Sequence, residues 1–344
     1  MEENKPQGGL GCNVGEIDDR DHLYAGAPSL EASPIFPIDL RSDSTVIRDQ
    51  EDLGACTAFG ATELFDFVRK KHKLTNWLPS PLFTYYATRQ LTNQTSVDSG
   101  APVRNALRST IKSGVTMEKV WPYDIAKFTE NPPQEVWDDA EKHQTLEYLK
   151  VDDTDKNNFV KCLNEGYPFM FGLMLYESFK FTGFLSDGKV RIPDKTKEKL
   201  LGGHCMLAVG YQVDPDGKEY MIVQNSWGSY WGDKGYCYIP MEYFLGVDSF
   251  DFWTIRLTET CDTDKEDPSP EPPAPPEPPA PPAPPEPKPV EPVVVPPTPT
   301  PAPVVVPEPV VPPFPENNIG ILQNPKLYLL IGAILIVLLF VLMK

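Results

Sequence analysis

The stretch "QEDLGACTAF", Gln50 to Phe59, sets one cysteine behind a glycine-containing turn and in front of an apolar run. Ala58, Ala61, Phe65 and Val68 then recur at helical spacing, and Leu64 and Phe67 widen the apolar face. This spacing predicts a helix from Cys56 to about Lys71, buried on most sides. Cys56 stands on its first turn. A cysteine in that place is either a small core hydrophobe or a thiolate seated in the positive field of a helix N-terminus.

Further along, residues 101–113 read as a second helix, closed by "SGV" and followed by a "WPYD" turn. Residues 133–144 and 155–165 read as two more. The character then changes. "YPFMFGLMLY" (167–176), "GGHCMLAVGYQV" (202–213), "EYMIVQNSWG" (219–228) and "KGYCYIPM" (234–241) read as strands, parted by turn signals such as "DPDG". Helices in the first half and strands in the second predict an α+β architecture. A helical lobe packs on an antiparallel sheet lobe, with a cleft between them. Residues 1–37 form a polar, turn-rich extension, and the globular domain is expected over 38–261.

The remainder has a different composition. Of the 40 prolines in the 344-residue chain, 25 fall between Pro268 and Pro315. Such a stretch forms no core and favours polyproline II. Residues 262–325 are therefore expected to be an extended stalk. At about 3.1 Å per residue its proline-rich part would reach roughly 150 Å. Its PxxP spacings also fit an SH3- or WW-type ligand, although Lys288 is the only basic residue beside them. Residues 326–344 end the chain, and Leu327 to Met343 carry no charge. As a helix they span roughly 25 Å, near the lower limit for a bilayer. With a polar N-terminus, this predicts a tail-anchored protein held to a lipid bilayer through 327–343, its globular part cytosolic.

Net charge is −18, of which −12 falls before Asp262. That balance argues against nucleic acid as a partner. The six cysteines form no CxxC pair and fit a reducing compartment. The four histidines and six cysteines show no ligand spacing, so no metal and no cofactor are expected.

Cys56 needs a base. His72 and His143 sit in the charged surroundings "RKKHK" and "AEKHQ" and read as solvated faces, while His22, in a charged run, reads as structural or solvated. His204, in "GGHCMLAVGY", remains. In a strand it shares a face with Met206 and Ala208, while Cys205, Leu207 and Val209 take the other. Gly203 leaves room beside the ring for a substrate backbone. A base also needs a third group to hold its ring. Asn225, ending the next predicted strand, is the best placed, and Trp227 could cover that bond from water. A core histidine and a plain "NSWG" turn are the competing readings.

Together these residues resemble the papain-like cysteine peptidases, over about Asp39 to Phe252. "NSWGSYWGDKGY" carries the most specific likeness. The resemblance implies a two-lobed papain-like fold with polypeptide substrates. It gives Cys56 the role of nucleophile, His204 that of acid and base, and Asn225 that of orienting residue. Gln50 would share the oxyanion hole with the Cys56 backbone N–H. "DSGAPVRNAL" resembles the stretch lining the non-primed cleft, so Gly100 and Ser99 would bind substrate backbone. There are departures. Thr57 stands where the family usually has Trp. Leu53 stands where many secreted members have a disulfide cysteine. The N-terminal extension is too short for the usual helical propeptide and looks like that of divergent bacterial and large-DNA-virus members, which makes a viral membrane or virion a further expected location. The implied activity is endopeptidase cleavage through a thioacyl-enzyme. The alternatives are a catalytically silent scaffold on the same frame, and an exopeptidase or ligase with the same chemistry.

Overall fold

The computed structural model describes residues 8–16, 21–24 and 37–258, apart from residues 45 and 186. The expected stalk, the membrane segment and Cys261 lie outside the described residues. Among the described residues no helix is long and apolar enough to cross a membrane.

Helices dominate the first half. Helix α1 (Cys56–Lys71) follows the Leu53–Ala55 turn and has no side-chain cap. Its last turn carries Arg69, Lys70 and Lys71, which complement the negative end of the helix dipole. Every residue from Cys56 to Arg69 is buried. Helix α2 (Pro81–Gln90) starts at a Ser80 cap that accepts from the Phe83 N–H, with Pro81 at the first helical position. Helices α3 (Val103–Lys112), α4 (Gln134–Ala140) and α5 (Lys156–Asn164) complete the main set. Short turns of helix, α6 (Glu177–Thr182) and α7 (Met241–Phe244), follow β strands.

The strands are β1 (Cys12–Asn13), β2 (Ile38–Asp39), β3 (Ala101–Pro102), β4 (Thr145–Lys150), β5 (Phe169–Tyr176), β6 (Leu200–Val213), β7 (Glu219–Gln224), β8 (Tyr236–Pro240) and β9 (Ser249–Thr258). The main sheet runs β4-β9-β5-β6-β7-β8, with β2 on β6, and all its pairings are antiparallel. The expected α+β class therefore holds. Strand β6 sits at the centre, and its two faces feed different cores. Met206 and Ala208 join an aromatic cluster with Phe159, Phe169, Phe171 and Phe244. Cys205, Leu207 and Val209 pack under α1 and α3 with Leu64, Phe65 and Leu107. A third cluster, around Phe59, Phe83 and Trp121, holds the outer helical lobe.

Helix α1 has the expected limits. Helix α2 was not expected, because "PLFTYYATRQ" is rich in aromatic and β-branched residues that favour strands. Burial against α1 and α3 overrides that preference. The segment 133–144 is helical only to Ala140, and β4 starts at Thr145. Strands β4 and β9 extend the sheet beyond the expected strands on the β5 side.

Candidate active site

Cys56 opens α1, so its side chain sits where the first N–H groups of the helix have no partner one turn back. The thiol is fully buried. Its sulfur accepts backbone N–H hydrogen bonds from Cys205, Gly11 and Thr57.

His204 comes from the middle of the sheet, paired with Leu173 across β5. Its Nε2 lies 2.7 Å from Asn225 Oδ1. That oxygen also accepts from the Ser226 N–H at 2.9 Å, which fixes the amide orientation. Asn225 follows the last residue of β7, and its own N–H donates to Gly235 O. The Trp227 ring lies over the imidazole, with centroids 4.6 Å apart and planes 32° from parallel. Trp231 and Phe179 back that indole in turn. The imidazole is thus held on one nitrogen and sealed on one face. Nδ1 has no hydrogen-bond partner among the described residues.

Gln50 reaches the site from the helical side. Its N–H donates to Ser226 O at 2.8 Å, and Gly228 N–H donates to Arg48 O at 3.0 Å. These two bonds tie residues 48–50 to the segment that follows Asn225. Ser226 Oγ donates to Gln50 Oε1 at 2.6 Å, leaving Nε2 as the outward donor. Gly100 has φ of 63°, a conformation that favours glycine. Its N–H donates to Tyr85 OH, which hydrogen-bonds Asp98; Asp98 also accepts from the Gly54 N–H. Asp98 and Tyr85 thus brace the turn before Cys56 against the Ser99–Gly100 loop. Sequence reasoning missed both, and the only signal for Asp98 was its place beside Ser99 and Gly100.

The larger omission is the segment Gly8–Asn13, which lies through this cleft as a strap. Gln50 Nε2 donates to Gly9 O at 2.9 Å. Gly9 N–H donates to Glu51 O, and Ala101 N–H donates to Gly11 O, both at 2.7 Å. Strand β1 continues as a parallel partner of β3, with Cys12 opposite Ala101. Asn13 Nδ2 donates to Ser99 O at 3.1 Å. The strap passes so close that a Cβ on Gly11 would collide with the Gly54 carbonyl, and one on Gly203 with the Cys12 carbonyl. One on Gly8 would strike the Trp227 ring. The legible signal was "GGLGC", three glycines in five residues (8–12), which lets backbone lie flat on backbone.

Gln50, Cys56, Ser99, Gly100, Gly203, His204, Asn225 and Trp227 therefore line one region, and most of them touch the strap or the thiol. Burial disfavours charge on both the thiol and the imidazole. Burial pushes the Cys56 thiol up to about 12, against the pull of its three N–H donors. Burial holds His204 down to about 4, with the Asn225 hydrogen bond acting the other way. No group of three or more His, Cys, Asp or Glu residues that could hold a metal exists among the described residues.

The chain belongs to the papain family of cysteine proteases, whose family model matches residues 37–248. It is accordingly a hydrolase of the cysteine-peptidase class. An uncharacterised peptidase C1-like protein of Acanthamoeba polyphaga mimivirus is 36% identical over 217 residues, covering 60% of this chain and 68% of that protein. The cathepsin L-like peptidase of Aedes aegypti is 28% identical over 206 residues; the match covers 56% of this chain and 54% of that protein. Among solved structures, xylellain, a cysteine protease from Xylella fastidiosa, superposes with a TM-score of 0.65 at 30% identity. That match covers 74% of this chain and 98% of the xylellain chain.

Proposed function

We propose that the chain is a membrane-tethered endopeptidase, described here in a latent state. Cys56 is the nucleophile, His204 the general acid and base, Asn225 the group that orients the ring, and Gln50 Nε2 an oxyanion donor. The observation that carries this reading is the strap. An extended peptide already lies in the cleft, with a carbonyl oxygen on Gln50 Nε2 and its backbone paired along the Gly100 loop. A substrate polypeptide would use the same donors once the strap lifts.

Lifting the strap removes the Gly11 N–H from the sulfur and admits water. The thiol can then turn to the vacant His204 Nδ1 and give up its proton, since solvent and the helix N-terminus both favour the charged pair. The thiolate adds to the substrate carbonyl. Gln50 and the Cys56 N–H stabilise the oxyanion, His204 protonates the leaving amine, and water then releases the acyl group. Ser99, Gly100 and Gly203 would hold substrate backbone, and Trp227 would shield the His204–Asn225 bond. Residues 262–325 serve as the spacer and 327–343 as the tether.

The test is turnover of a mixed peptide library by the full chain, with Cys56→Ala beside it. Cleavage by the first and none by the second is expected. Equal turnover by both would overturn the assignment. One feature favours the silent-scaffold reading: burial pushes the thiol up and the imidazole down, against the charged pair. That reading gains if variants with the strap displaced still cleave nothing.

A further inference from the structure

Two of the buried thiols have no part in the mechanism above, and they meet at the strap. Cys12 is the strap's own cysteine, only 4% exposed. Cys205 follows His204 on β6 but points to the opposite face, where its sulfur packs against Gly60, one turn along α1 from Cys56. Cys12, Cys56 and Cys205 fall in one buried cluster beneath that helix. The Cys12 and Cys205 side chains interact with each other, whereas Cys56 takes its contacts from backbone N–H groups. Both Cys12 and Cys205 are free thiols. Cys12 Cβ also sits 3.6 Å from where a side chain on Gly203 would begin, and Gly203 shares a strand face with Cys205. Side-chain interaction between two thiols on neighbouring backbones is the first requirement for a disulfide.

We propose that Cys12 and Cys205 form a disulfide that staples the strap into the cleft, so that the latent peptidase is released by reduction. The inference rests on reading the strap as the segment that must leave before hydrolysis. The oxidant is a low-molecular-weight disulfide of the glutathione class. While buried, Cys12 is held well above the ordinary thiol range, first by burial and then by its bond to Cys205, so it reacts on a transiently lifted strap. The Cys12 thiolate attacks one sulfur of the small disulfide, giving a mixed disulfide and one small thiol that carries away the proton. On reclosing, the Cys205 thiolate attacks the Cys12 sulfur, and the second small thiol leaves with the second proton. Two protein thiols are oxidised and one small disulfide is reduced to two thiols. The consequence is specific to the strap. It becomes a covalent loop across the nucleophile, yet Cys56 itself is untouched and ready after reduction.

The decisive experiment uses the full-length Cys56→Ala chain, in which the nucleophile cannot react. It is incubated with oxidised glutathione, alkylated and mapped without reduction. The expected result is a Cys12–Cys205 linked peptide that disappears with dithiothreitol. In the same samples, amide exchange over Gly9 to Gly15 should slow by at least about tenfold on oxidation. Both changes should vanish in Cys205→Ala and equally in Cys12→Ser, which places the substitution on the strap and leaves β6 untouched. Cys12 and Cys205 found unlinked, or linked with no change in exchange, would overturn the latch. Because the map is read in a chain that cleaves nothing, it stands or falls apart from the peptidase reading. That reading would fail separately, by absent hydrolysis in the reduced wild type with its strap displaced.

Discussion

The two halves of the cleft are built to different standards of permanence. The imidazole half belongs to the sheet. His204 lies in the central strand, its Nε2 bonded to Asn225, its face covered by an indole that two more rings support. The strap touches this half only by packing, Gly8 on the Trp227 ring and the Cys12 carbonyl on Gly203. The thiol half is different. Cys56, Gln50 and the Gly100 loop all spend hydrogen-bonding capacity on the strap, Gly9 to Cys12. On the proposed reading, the base is preorganised, while the nucleophile is held in check by a piece that must lift. That reading puts the on–off decision on the helical side.

The sharpest way to break this comparison is to remove the nucleophile. Cys56→Ala should lower peptide hydrolysis by roughly 10³-fold or more, while the fold is kept, because a buried thiol loses little volume to a methyl group. Near-wild-type turnover would end the assignment. Next comes the removable piece. Gly11→Val puts branched carbons into the Gly54 carbonyl and should unseat the strap. The rate at which iodoacetamide labels Cys56 at neutral pH should then rise by about tenfold or more, as the thiol gains both solvent and His204. Unchanged labelling would mean that the strap does not guard the thiol. The permanent half is tested by Asn225→Ala. Losing the partner of Nε2 leaves the ring free to rotate, so kcat should fall about 10²-fold with little change in KM. A change confined to KM would make Asn225 a binding residue instead.

How much of this was readable in the sequence follows the same division. The helix at Cys56, the face alternation along β6 and the Asn after β7 all come from periodicities that one short window displays. They were legible for that reason. The resemblance carried Gln50, Ser99 and Gly100, and the structure brings them to the same region. The strap was not legible, since many of its contacts are backbone to backbone across more than forty residues and leave only a run of glycines as a trace. Asp98 and Tyr85 were hidden for a similar cause: each is an ordinary residue whose meaning lies in which distant N–H or hydroxyl it meets. Helix α2 was missed because local preference pointed to strand and burial decided otherwise.

The smallest expected effect concerns proton binding in the permanent half. Burial holds His204 at about 4 in the closed fold, below the value of 6.5 it returns to when unfolded. Between those limits the unfolded chain binds a proton that the folded chain refuses, so stability rises with pH. The contribution is complete above 6.5 and is lost as pH falls toward 4. Over that window it amounts to about 3 kcal/mol, at 1.4 kcal/mol per pH unit. Urea midpoints measured at pH 7, 5.5 and 4.5 should therefore fall with acid, and His204→Gln should flatten the slope. An equal slope in both chains would mean that the imidazole is not held neutral in the closed cleft. The proposed latent state would then rest on the strap's hold on the thiol rather than on the His204 environment.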